Sequence, residues 1–139
     1  MLSDYDALFQ EVCAELELPW VKVLTFAKIL TGLSPEFREN DVYGPRAGLM
    51  AMPEREAVHF GILPLDLVVP AHSIRAGCEA LREYYDEFWE LGNSAERMTA
   101  AFNYYLRDWP VRQETWKKAF DNRYHHNNST VKSAAVEEL

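Results

Sequence analysis

The sequence predicts an all-α domain of orthogonally packed helices, and three observations carry that prediction. Apolar residues recur at helical spacing in successive segments, Gly and Pro punctuate the gaps, and no stretch shows the strict alternation of a half-buried strand. No internal repeat or heptad run competes with this reading. The 139 residues suffice for one real core and are too few for two, and 48% apolar against 26% charged residues is the balance of a folded globular chain.

The first helix is expected over Ser3–Leu18, with Ser3 or Asp4 as cap and Tyr5, Leu8, Phe9, Val12, Cys13 and Leu16 at helical spacing. Pro19 separates it from a second, Trp20–Thr31, whose Trp20, Val23, Leu24, Ala27 and Leu30 share a face and whose stop is Gly32. Residues 33–52 read as loop, because SPEFREND carries capping and turn chemistry and VYGPRAG is rich in Gly and Pro. PEREAVHFG is expected as a short helix opened by Pro53 and closed by Gly61, and ILPLDLVVPA as an irregular connection interrupted by prolines. The longest helix is placed at Ser73–Leu91, with Ile74, Gly77, Cys78, Leu81, Tyr85 and Phe88 as its apolar stripe. Ser94 caps the next, which turns Met98, Ala101, Phe102, Tyr105 and Leu106 inward until Pro110 breaks it. A last helix carries Trp116, Ala119 and Phe120. The domain is thus drawn over residues 1–122, and 123–139 reads as a flexible or partner-ordered tail.

The net charge of -8 disfavours a nucleic-acid binder, since phosphate recognition wants clustered Lys and Arg. It equally disfavours docking on anionic lipid. No segment approaches the ~18 consecutive apolar residues of a membrane span. The acidic first residues lack a basic region followed by an apolar run, so the expectation is synthesis in the cytoplasm without a signal peptide. Cys13 and Cys78 read as two buried free thiols, with a disulfide as the alternative.

Four segments, taken in order over residues 5–105, resemble the soluble lytic transglycosylases, which share the goose-type lysozyme fold. After an opening helix, YDALFQEVCAELELPW, the run AKILTGLSP (27–35) lies without a gap on the family's A-K-V-E-S-G-F-N-P. GLMAMPEREAVHFGI (48–62) is similar to G-L-M-Q-x-M-P-x-T-A, PAHSIRAGCEALREYYDEF (70–88) to P-x-x-N-I-x-x-G-x-x-Y-L, and AAFNYY (100–105) to A-A-Y-N-A-G. The stretch between Pro35 and Gly48 is longer than the family's.

The resemblance implies a lysozyme-like fold and a cleft where one Glu at the end of the second helix acts as acid and base on peptidoglycan. That Glu falls on Leu30, which cannot donate a proton. The neighbouring groove positions fall on Thr31, Met50, Ala51, Phe102 and Asn103. Of these, Ala51 replaces a glutamine amide and Phe102 lacks a tyrosine hydroxyl. The retained Gly, Leu and Met residues are equally explained by core packing, and Leu30 extends the apolar face of its own helix.

Glu36, in the longer loop, is the fallback acid, though a mobile loop is a poor place for a precisely held proton donor. His59 and His72 are isolated, and His125–His126 are adjacent, so no metal-ligand spacing is present. No cofactor motif is found. Tyr84, Tyr85, Trp89, Tyr104 and Trp109 are candidate interface anchors, with core filling the alternative for about half of them. The expectation is therefore a catalytically inactive transglycosylase-like module with protein partners in a larger assembly, such as a phage tail or baseplate, that retains at most a contact with peptidoglycan glycan. The alternative is an active enzyme using Glu36.

Overall fold

The computed structural model describes residues 5–130, with side chains through Phe120. Five α-helices, α1 (Asp6–Leu16), α2 (Trp20–Thr31), α3 (Pro70–Glu87), α4 (Ser94–Tyr105) and α5 (Pro110–Thr130), surround one apolar core. Between α2 and α3 lie three short antiparallel strands, β1 (Arg38–Asp41), β2 (Gly44–Ala47) and β3 (Met52–Pro53), in that spatial order. Two 3-10 turns, Glu54–Phe60 and Pro64–Val68, complete the connection. The fold is mostly helical, as expected, but the expectation of helices alone is corrected by this sheet.

Local chemistry explains most of the boundaries. Gly32 ends α2 in the left-handed region at φ 66°, its N–H donating to the Lys28 carbonyl. Pro70 opens α3 at a position where a missing N–H costs nothing, three residues ahead of the expected Ser73. Asn93, rather than Ser94, caps α4: its side-chain oxygen accepts from the Glu96 N–H at 2.8 Å. α5 continues through residue 123, because no Gly or Pro interrupts DNRYHHNNST, so the expected tail begins inside a helix. Residues 131–139 lie outside the described residues.

The hairpin was hidden because REND and GPRA have neither alternation nor β-branched residues. Long-range bonds hold it instead. The Asp41 carboxylate closes the turn by accepting from the Tyr43 and Gly44 N–H groups at 2.8 and 3.1 Å. It also accepts from Arg46 Nε at 2.7 Å and from both terminal nitrogens of Arg55, at 3.1 and 2.8 Å. Burial alone would raise the Asp41 pKa, but the hydrogen bonds from Arg55, the Tyr43 amide and Arg46 outweigh it and lower it to about 2.

Two glycines fix how closely the turn after β2 approaches the second 3-10 turn and α3. A Cβ on Gly48, where φ is 86°, would lie 2.2 Å from the Leu67 carbonyl oxygen. A Cβ on Gly77 would lie 2.6 Å from Met50 Cβ. Gly77→Ala should therefore cost ~1–3 kcal/mol by overpacking, and Gly48→Ala more, because backbone strain adds to the clash. Urea midpoints of the two variants check this order. Asp41→Asn should cost ~3–5 kcal/mol by leaving Arg46 without its counter-charge. Because the folded pKa of Asp41 lies below the unfolded one, its contribution of about 2 kcal/mol is present above pH ~4 and lost as pH falls towards about 2. An acid titration of stability should show that loss in the wild type and a flatter curve in Asp41→Asn.

Candidate functional site

Three of the positions singled out by sequence, Thr31, Met50 and Ala51, meet at the turn Gly48–Ala51, which is buried where the end of α2, α3 and the end of α4 come together. Buried backbone polar groups need partners, and here side chains from distant segments supply them. Thr31 Oγ1 donates to the Leu49 carbonyl at 2.7 Å, and also lies 3.1 Å from the Ala27 carbonyl of its own helix. The Met50 N–H donates to Ser73 Oγ at 3.1 Å, and the Met50 carbonyl accepts from the Tyr105 hydroxyl at 2.7 Å. The Ala51 carbonyl accepts from Arg46 at 3.3 Å, while the Ala51 N–H closes the turn onto the Gly48 carbonyl at 3.0 Å. Complete burial pushes the Tyr105 phenol well above its ordinary range, so its hydroxyl remains a donor.

Leu30 is 1% exposed and belongs to the hydrophobic core. Met50 and Ala51 are fully buried, and Ala51 adopts a left-handed backbone at φ 49°. Phe102 is covered: its ring stacks on Phe26 at 4.4 Å and meets Trp116 of α5 at 5.5 Å. Those rings form the wall of a small apolar pocket between α2, α4 and α5, with Ile29 and Met98. Asn103 lies on the opposite side of α4, in a shallow hollow with Tyr104, Arg107 and Gln113. Its Nδ2 donates to the Thr99 carbonyl, and its buried Oδ1 has no hydrogen-bond partner among the described residues. Four of the five groove positions thus spend their side chains inside the fold, and the fifth faces elsewhere.

Glu36 is exposed, as is Glu39, which pairs with Arg112 of α5 at 2.8 Å. That bridge belongs to a set fastening the hairpin to the corner between α4 and α5. The Val42 N–H donates to the Asp108 carbonyl at 3.0 Å, Arg55 reaches the Asp108 carboxylate at 3.4 Å, and the Phe37 and Trp109 rings meet at 5.9 Å.

The aromatic candidates divide. Tyr84 is buried, its hydroxyl donating to Glu56 at 3.2 Å, and burial pushes its pKa up to about 12. Trp109 is also buried, beneath the Arg46 guanidinium at 5.0 Å. Tyr85 is half-buried under Arg97, 4.0 Å from its ring. Trp89, 71% exposed, and the more modestly exposed Tyr104 remain at the surface. His59 pairs with Glu83 at 3.1 Å and His72 is exposed, while the side chains of His125 and His126 lie outside the described residues. Among the described residues no three His, Cys, Asp or Glu side chains are grouped to hold a metal ion. Cys13 and Cys78 are buried free thiols.

No family model, curated protein or solved structure matches this chain. What the site can do chemically therefore rests on its own groups. At the turn beside Thr31 the described polar groups are backbone groups, hydroxyls and the Arg46 guanidinium bonded to one another, and the exposed Glu36 lies on the loop before β1.

Sequence reasoning missed the roles of Arg46, Ser73 and Tyr105, which together with Thr31 satisfy this turn. Tyr105 was legible as an inward-facing residue and Ser73 as a helix start, but nothing in the sequence tied either, or Arg46, to the carbonyls and amides of this turn. Leu30→Glu should destabilise the fold by ~3–5 kcal/mol at pH 7 through a buried, unpartnered carboxyl. Because burial raises that carboxyl's folded pKa above the unfolded value of ~4.3, the penalty should shrink as pH falls from the folded pKa towards ~4.3 and level off below it, where both states are protonated. Thermal melts of the variant at pH 4 and pH 7 measure both effects.

Proposed function

We propose that this chain is a catalytically inactive domain of lytic-transglycosylase type, serving as a structural or binding module within a larger protein assembly. The observation that carries the reading is the burial of Leu30 at the position where the family's catalytic Glu falls. A glycosidase acid must reach the scissile oxygen from a cleft and carry a tuned proton. An apolar side chain packed in the core does neither.

Further features support the same reading. The segments that carry the resemblance occupy the end of α2, the turn after β2, α3 and α4, and they meet at one buried point. Phe102 lies beneath Trp116, so the ring where the family has a groove tyrosine is closed off by α5. Among the described residues no helix is long and apolar enough to cross a membrane, which suits a component assembled through protein contacts. The setting we favour, a phage tail, baseplate or comparable envelope-penetrating machine, follows from the resemblance.

The test is direct. Purified protein incubated with peptidoglycan should release no anhydro-muropeptides, and Glu36→Gln should behave like the wild type. Robust release that Glu36→Gln abolishes would overturn the proposal in favour of an enzyme with its acid on the loop before β1. Sedimentation with insoluble peptidoglycan then separates a glycan-binding module, which pellets, from one that makes only protein contacts. Mass spectrometry of assembled particles from the producing cells should find the chain as a stoichiometric component.

A further inference from the structure

The two cysteines serve no part of the site above, and their placement is specific. Cys13 lies on α1 and Cys78 on α3, two helices packed against each other, and their sulfurs stand 3.9 Å apart in the core. Neither side chain reaches water. We propose that Cys13 and Cys78 are a cross-linking site, closing to a disulfide between α1 and α3 when the chain folds in the presence of a disulfide oxidant.

The geometry asks little for closure. A disulfide bond is ~2.05 Å long, so from 3.9 Å the sulfurs must approach by about 2 Å. The reaction is thiol–disulfide exchange. One cysteine thiolate attacks a sulfur of the external disulfide and releases one equivalent of thiolate, leaving a mixed disulfide on the protein. The second cysteine thiolate attacks the protein-bound sulfur of that mixed disulfide and expels the other equivalent. The two cysteines lose two electrons and two protons, and the external disulfide becomes two thiols.

Burial sets when this happens. The hydrogen bond with Cys13 and desolvation both hold the Cys78 thiol well above its ordinary range, so the folded pair has almost no thiolate at neutral pH. An external disulfide has no path to either sulfur in the closed core. Closure therefore belongs to folding, before α1 docks on α3, and the folded dithiol is inert. A chain that folds in a reducing compartment keeps both thiols, and one that folds under oxidising conditions is stapled. This inference is independent of the pseudoenzyme reading.

The experiment refolds the full chain from denaturant with mixed oxidised and reduced glutathione, beside native protein held in the same buffer. The refolded chain should lose about 2 Da and both reactive thiols, remain monomeric on a non-reducing gel and keep its helical circular dichroism. Its melting temperature should rise by on the order of 10 °C and fall back with dithiothreitol. Native protein should retain both thiols over the same period. Cys13→Ser and Cys78→Ser, refolded alike, should keep one thiol or carry one glutathione and show no rise. Glutathione adducts or covalent dimers in place of the internal bond would overturn the proposal. So would a cross-linked product that melts lower than the dithiol form.

Discussion

A guanidinium with no access to water must have its donors answered from within the fold, and the arrangement of this domain turns on answering Arg46. Its side chain is the largest of those that are fully buried. Asp41 takes Nε, the carbonyls of Ala51 and Tyr105 take one terminal nitrogen, and the Trp109 ring lies against its face. These partners come from β1, the turn after β2, the end of α4 and the corner before α5. An unanswered charge at that depth costs several kcal/mol, so each of the four must be in place for any of them to be comfortable. The ion pair thus adds less to raw stability than to the choice of one arrangement over its neighbours. Arg55 extends the restraint outward, since it holds the same Asp41 carboxylate and also reaches Asp108.

Much of this was legible in the sequence, for reasons that differ by element. α2 is bounded by Pro19 and Gly32, and both ends are set by local backbone rules, so its expected span is the observed one. The inward face of α3 was read with Tyr85, whereas Tyr84 is the buried tyrosine. Period alone does not separate adjacent aromatics when each has a polar tip that finds a partner, Tyr84 in Glu56 and Tyr85 beneath Arg97. The sheet was illegible because its strands are held by an Asx turn, a buried ion pair and contacts to α5. None of these leaves a periodic trace.

The candidate site was legible in position but not in role. Thr31, Met50, Ala51, Phe102 and Asn103 were placed together by motif order, and Thr31, Met50 and Ala51 do meet at the turn, whereas Phe102 packs on Phe26 and Trp116 and Asn103 faces another hollow. Their work there is structural. The Thr31 hydroxyl serves the Leu49 carbonyl, and Phe102 fills the space under Trp116. A hydroxyl or a ring looks the same in sequence whether it faces a ligand or a carbonyl eighteen residues away. The deciding partners, Ser73 and Tyr105, sit far along the chain, and only the assembled fold brings them within reach.

On the proposed reading, this division also explains how a scaffold signature can outlast its chemistry. Gly48 is held by the Leu67 carbonyl at a distance no side chain permits, and Gly77 by the Met50 side chain packed against it. These demands come from the backbone path and persist whether or not the domain cleaves anything. A carboxyl at position 30 carries the opposite balance. It is costly to bury and is tolerated only while catalysis requires it. Replacing it with leucine removes that cost and extends a face already formed by Val23 and Ala27. The Thr31 hydroxyl next to it in sequence is committed to the Leu49 carbonyl, and Phe102 has no hydroxyl to offer. A carboxyl returned to position 30 would have to be buried, since the side chain there is 1% exposed, and that cost is a stronger barrier than the single substitution suggests.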